Sequence, residues 1–165
     1  LGSAGMPLTG QMTQRETMQF YPGENSRQSM PRPFFNALCG GCHGSISGRE
    51  IQTPTRYSEQ FGPALHLDQD CARDITDVVR RYFWRYLDHS CDPATLIRDR
   101  EVIAVRDIAP GDRVTFNYNT TEYDMAEPFR CHCGTARCVG IVRGARHLTR
   151  AQRAHLAPWL ADYLR

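Results

Sequence analysis

A mainly β fold with short helices follows from three observations. Two runs rich in β-formers, Glu101 to Val105 and Arg113 to Asn119, flank the turn sequence Ala109-Pro110-Gly111-Asp112. One stretch carries a helical apolar stripe, at Ile75, Val78, Val79, Tyr82, Phe83 and Tyr86. Glycine and proline interrupt most of the remainder, which leaves room only for short elements.

In chain order, residues 1–33 are rich in Met, Gln, Thr, Ser and Pro and read as an irregular arm, with a turn at Tyr21-Pro22-Gly23. Pro33 to Cys39 is a possible short strand, followed by a glycine-rich segment through Gly48. Ile51 to Leu67 carries β-formers broken at Pro54 and Gly62-Pro63, and predicts two short strands. The stripe from Ile75 predicts an amphipathic helix covering a sheet. Glu101 to Val105 reads as a buried strand. It should pair as a hairpin, through a type II turn, with a strand in which Val114, Phe116 and Tyr118 share one face. Near the C-terminus Thr149 and Gln152 spell a capping box. Ala151, Ala154, Leu156, Trp159, Leu160, Tyr163 and Leu164 can cover a core, and Pro158 should divide this segment into two short helices.

The totals set limits. A chain of 165 residues is one domain in size and can bury a core without staples. A net charge of +2 gives no ground for a specific nucleic-acid partner. A solvated helix face accounts for Arg143, Arg146, Arg150 and Arg153. No apolar run approaches the ~18 residues of a membrane helix, and no signal peptide is recognisable, so the expected location is cytoplasmic.

Seven cysteines cannot all pair within one chain, which favours metal binding in a reducing compartment. Cys91, Cys131, Cys133 and Cys138 form a C…C-x-C-x4-C set, a plausible tetrahedral structural zinc site. Cys39, Cys42 and Cys71 are left over. Cys39-Gly40-Gly41-Cys42-His43 spells the attachment sequence of c-type haem, but no axial methionine segment accompanies it. A glycine-rich turn and a second metal or redox role stay open for that pair.

Three stretches carry a family resemblance. Arg85-Tyr86-Leu87-Asp88-His89-Ser90-Cys91-Asp92-Pro93, the run Ile103 to Tyr118, and Cys131 to Gly140 are similar, in order and spacing, to the R-F-x-N-H-S-C-x-P-N, A-x-R-D-I-x-x-G-E-E-L-x-F-D-Y and post-SET C-x-C-x4-C-x-G motifs of SET-domain lysine methyltransferases. The resemblance implies a β-clip-like SET fold with a knot-like crossing, in which the Asp88-His89 segment passes beside the Tyr118 strand. It divides the chain into an arm at 1–33, a SET domain at 34–130, a post-SET zinc motif at 131–144 and a C-terminal helical segment at 145–165. It implies zinc on Cys91, Cys131, Cys133 and Cys138. It also implies S-adenosylmethionine against Tyr86, Asp88, His89 and Ile141, with Tyr118 as the catalytic tyrosine.

The implied reaction is methyl transfer to a protein lysine or another amine, a displacement that depends on positioning. Its nucleophile must be uncharged, and a lysine amine is neutral only about once in 2,500 at pH 7. An apolar aromatic channel beside a sulfonium favours the free amine. Tyr57, Phe116 and Tyr123 are candidates to line it. Three departures stand out: no G-x-G occurs, Asp88 replaces the motif's Asn, and Ala94 replaces its closing Asn. A carboxylate at 88 accepts but cannot donate as an amide does. Two alternatives therefore accompany the methyltransferase: an interaction module that has lost the cofactor, and a repurposed SET-fold enzyme acting on a small metabolite. His89, beside a carboxylate, is also open to a reading as a general base.

Overall fold

A computed structural model describes residues 43–109 and 111–165, with side chains from Ile46 onward. The expected arm, the strand at Pro33 to Cys39 and the Cys39–Cys42 pair lie outside the described residues.

Among the described residues, four small sheets make up the strand content. Strands β1 (His43–Ser45), β7 (Glu101–Ala104) and β6 (Thr95–Arg98) form one antiparallel sheet, with β7 central. Strands β2 (Arg49–Ile51), β4 (Leu65–Asp68) and β3 (Glu59–Gly62) form a second, with β4 central. The segment from Ile51 to Leu67 thus holds the two expected strands, β3 and β4, and the last residue of β2. Its Gly62-Pro63 break is the turn between β3 and β4. Strands β5 (Asp88–His89) and β8 (Thr115–Phe116) pair in parallel, and β9 (Phe129–Arg130) pairs antiparallel with β10 (Ile141–Val142).

The expected hairpin between Glu101–Val105 and Arg113–Asn119 does not form. The Ala109–Asp112 turn does close, through the Asp112 amide donating to the Ala109 carbonyl at 3.0 Å, with Gly111 at φ +98°. The strands on either side nevertheless take other partners. A strand has only two edges, and β7 has filled one with β6, across the tighter turn at Asp99-Arg100, and the other with β1. Both turn residues there have positive φ, 51° and 62°, the geometry of a two-residue hairpin loop. β8 is left to find β5. This parallel pairing is the adjacency that the resemblance implied between the Asp88-His89 segment and the approach to Tyr118. The β7 strand is also less buried than expected: Val102 is buried, whereas Val105 just beyond its end is exposed.

The apolar stripe is helical but shorter than its period suggested. Helix α1 (Ile75–Arg81) starts at Asp74, whose side chain accepts from the Asp77 amide. It gives way to a 3-10 turn at Phe83–Tyr86. The tighter turn keeps Val78, Tyr82, Phe83 and Trp84 in one core with Leu67, Leu87, Ile97, Val102, Val114 and Phe116. Truncating Phe116, 2% exposed at the centre of this core, is expected to cost about 3–5 kcal/mol of stability on Phe116→Ala, read as a fall in chemical-denaturation midpoint.

The C-terminal segment has its own cluster of Ala145, Leu156, Leu160 and Leu164. Helix α2 (Arg150–Leu156) carries the expected capping box, with Thr149 and Gln152 bonded reciprocally, and ends before Pro158. Ala151 and Ala154, expected in the core, are exposed, because a helix this short docks by one face and Leu156 occupies it. Gly144 has φ +104° and sits so close to the Tyr123 backbone that a Cβ would lie 2.6 Å from its carbonyl oxygen. Gly144→Ala should therefore destabilise by more than about 1 kcal/mol, with thermal unfolding as the measurement.

Candidate functional site

Two neighbouring features meet at β5 and β8. The first is the cysteine cluster. The sulfurs of Cys91, Cys131, Cys133 and Cys138 all lie within 4.8 Å of one another. A tetrahedral zinc thiolate with Zn–S near 2.3 Å requires sulfurs roughly 3.8 Å apart, and Cys91 and Cys131 stand at 3.9 Å. β9 and β10 clamp the loop that carries three of these residues, with the Cys131 amide donating to the Gly140 carbonyl at 2.8 Å. Gly134 and Gly140 make its bends at positive φ. Backbone amides of Val139 and Cys133 donate to Cys91 and Cys131 sulfur at 3.4 Å each, a shell suited to thiolates. The cluster can hold a metal ion. Burial pushes the Cys91 thiol far up and Cys131 to about 11. Cys133 is held down at about 6 against its burial by hydrogen bonds from Thr135. Metal binding must therefore displace protons from the two buried thiols.

His89 connects this cluster to the second feature. Its Nδ1 accepts from the Tyr118 amide at 3.2 Å, which leaves the proton on Nε2, 3.3 Å from Cys91 sulfur. Burial lowers the imidazole to about 4, so it is neutral, and both ring nitrogens are engaged within the fold. A base role for this ring has no free nitrogen to use. Asp88 is ion-paired with Arg113, a partner that sequence reasoning missed. Burial raises its carboxyl and Arg113 offsets part of that rise.

The second feature is a cavity of about 290 Å³. Phe116, Tyr118, Tyr57 and Phe129 supply aromatic walls, and Glu59 and Glu122 supply carboxyls. Tyr118 opens the 3-10 turn Tyr118–Thr120 rather than ending a strand, and its ring lies 4.7 Å from that of Phe116. Its hydroxyl donates to the Leu87 carbonyl at 2.7 Å. Burial raises the phenol well above its usual range, and the carboxyls of Asp88, Glu59 and Glu122 add to the effect. It is a neutral phenol whose hydrogen is committed and whose oxygen can accept.

Of the predicted residues, Tyr57, Phe116 and Tyr118 share this cavity. Tyr123 does not line it: its ring is 51% exposed beneath the Arg146 guanidinium. Tyr86 packs against the main core, and Ile141 is 42% exposed on β10.

Sequence reasoning missed Glu59 and Glu122. They come together because Gln60 ties β3 to the loop after Tyr118. The Gln60 amide donates to Glu122 Oε1 at 2.8 Å, and its side-chain oxygen accepts from the Tyr123 amide at 2.8 Å. The Tyr163 hydroxyl donates to the carbonyls of Gln60 and Thr121 at 2.5 and 2.9 Å, which pins both segments from the C-terminal end. No signal in the sequence announces a pair separated by this distance along the chain.

Burial raises both carboxyls, and each raises the other's cost of ionising: Glu122 reaches about 7, and Glu59 lies well above its usual value. Because the folded value exceeds the unfolded one, the pair's contribution to stability is full below about pH 4.5 and declines as pH rises through about 7. Between pH 5.5 and 8 the wild type should lose more thermal stability than Glu122→Gln, as measured by melting temperatures.

Comparison with known proteins places this geometry. The SET-domain family model matches residues 11–119, up to the residue after Tyr118. Methyltransferase flvH of Aspergillus flavus is 30% identical over 168 residues, which cover 96% of this chain and 87% of that protein. H3 lysine-36 specific histone-lysine N-methyltransferases match over shorter stretches. That of Chaetomium globosum is 35% identical over 82 residues, 44% of this chain and 9% of its own. That of Saccharomyces cerevisiae is 30% identical over 99 residues, 54% of this chain and 13% of its own. The chain thus spans most of the first relative and about a tenth of the histone enzymes. With the family model matched through β5, β8 and Tyr118, the chain belongs to the SET-domain family.

Proposed function

We propose that this protein is an S-adenosylmethionine-dependent N-methyltransferase acting on a lysine side chain or another amine, with a structural zinc ion on Cys91, Cys131, Cys133 and Cys138. The observation that carries the reading is Tyr118, a half-buried neutral phenol whose hydrogen is committed to the Leu87 carbonyl, at the wall of an aromatic and acidic cavity. A phenol oxygen so fixed accepts one amine N–H and aims the nitrogen lone pair, which is the positioning that an in-line displacement needs.

Aromatic faces and carboxyls in the lining attract positive charge, alongside the guanidiniums of Arg56, paired with Glu127, and Arg85, stacked over Tyr57. A sulfonium meets that chemistry. Tyr86, Asp88, His89 and Ile141 are the residues that would hold S-adenosylmethionine, which when bound supplies an electrophilic methyl group. Asp88 contributes acceptor oxygens steadied by Arg113. His89 contributes rigidity, because its ring ties Cys91 to the Tyr118 backbone. Phe116 and Tyr57 exclude water from the amine and so favour its uncharged form. No helix among the described residues is long and apolar enough to cross a membrane.

Calorimetric titration of the zinc-loaded protein with S-adenosylmethionine is the test. Binding at micromolar levels is expected, and absence of binding would remove the reading in favour of an interaction module.

A further inference from the structure

Aromatic walls account for part of the cavity beside Tyr118, but three carboxyl groups also face it, of which Glu127 is exposed and paired with Arg56. Glu122 is 6% exposed, so its side chain lies almost wholly inside the protein while still lining the cavity. One of its oxygens is held by the Gln60 amide. Glu59 lines the same cavity, and its Oε1 is sealed from solvent without a hydrogen-bond partner. An unpartnered carboxyl oxygen in such a place costs stability, roughly 1–3 kcal/mol for a buried polar group. It is held there by Gln60 and by Tyr163, which lock β3 against the loop that carries Glu122. A fold that needed only packing at this point would be better served by apolar side chains.

We propose that Glu59 and Glu122 form the recognition element for the ammonium group of the substrate, two carboxyls that present negative charge to the cavity beside Tyr118. The inference rests on the amine-methyltransferase reading and deepens it, by assigning the counter-charge that brings a cationic amine to Tyr118.

The other charged and titratable groups around the pair leave this charge available. Arg56 is paired with Glu127. Arg85 bonds to Gln69 and lies over the Tyr57 ring, 5.0 Å from its centroid. Tyr118 and Tyr163 are phenols pushed upward by burial, and each carboxyl of the pair adds to that rise. Above about pH 7, where Glu122 gives up its proton, the pair is an anion; below it the pair is neutral. Ammonium binding should therefore weaken as pH falls, by up to about tenfold per unit well below the midpoint. A neutral ligand of the same shape should show no such dependence.

The probe is n-butylammonium, with 1-butanol as its neutral counterpart, titrated into the full zinc-loaded chain without any cofactor and followed by NMR. At pH 8 the ammonium should bind at least ~10-fold more tightly than the alcohol, and at pH 5.5 that preference should vanish. Glu122→Gln should abolish the preference at pH 8, whereas Glu59→Gln, which leaves the Glu122 charge in place, should keep it. The pH comparison needs no variant, so it stands if either substitution impairs folding. Equal binding of alcohol and ammonium at pH 8, or a preference retained in Glu122→Gln, would overturn the inference. Because no cofactor is present, this outcome is independent of whether S-adenosylmethionine binds: the calorimetric test can fail while the ammonium preference holds, and the reverse.

Discussion

Cys138→Ser is expected to take the zinc content of the purified protein from about one ion per chain to well below half, and to loosen the β9–β10 clamp with it. The reason lies in where the cluster's binding energy goes. Structural zinc contributes on the order of 10 kcal/mol in small metal-organised folds, and here the clamp has little else. Its strands are two residues each, and Phe129 and Ile141 are exposed. The packed residues beside the cluster are Val142 and, partly buried, Tyr118, Met125 and Val139.

Losing the metal should therefore reach Tyr118 by two routes, through that packing and through His89 between Cys91 and the Tyr118 amide. Metal content by mass spectrometry of the native protein, with hydrogen exchange at residues 129–142, would measure both. A well-folded, metal-free wild type would sink the four-thiol assignment. Affinity for zinc should fall with falling pH, because the buried Cys91 and Cys131 thiols must lose protons to bind.

Tyr118→Phe should lower methyl transfer by roughly 10²-fold while S-adenosylmethionine affinity stays within about twofold. The substitution leaves the ring stacked on Phe116 and removes only the oxygen. It also leaves the Leu87 carbonyl without its donor, at about 1–3 kcal/mol in stability, so a modest drop in melting temperature should accompany it. Single-turnover kinetics separate these effects. A variant that turns over at the wild-type rate would remove Tyr118 from the chemistry, even with cofactor binding intact.

The fold and the candidate site were legible to different degrees. The motif around Asp88 to Pro93, the run to Tyr118 and the cysteine spacing identified the family and the metal cluster. Local patterns also located α1, the capping box at Thr149 and the break at Pro158. These features depend on near neighbours in the chain, which is why spacing reports them. The strand partners were misjudged, because alternation says that a strand exists but not which edge it meets. The Asp99-Arg100 turn pairs β7 with β6, so the flanks of the Pro-Gly turn do not pair with each other.

By itself the sequence determined the family, the four thiols and the position of Tyr118, all carried by residue type at fixed spacing. Only the tertiary structure decided that Tyr57 and Phe116 stand in the Tyr118 cavity while Tyr123 stands outside it. It alone engaged both nitrogens of His89 and paired Asp88 with Arg113. It alone brought Glu59 and Glu122 to the lining of one cavity, their segments joined through Gln60 and held by Tyr163 from the far end of the chain. The physical reason is that the chemistry of a buried carboxyl is set by its solvent exclusion and its neighbours, and neither is written in the residues next to it along the chain.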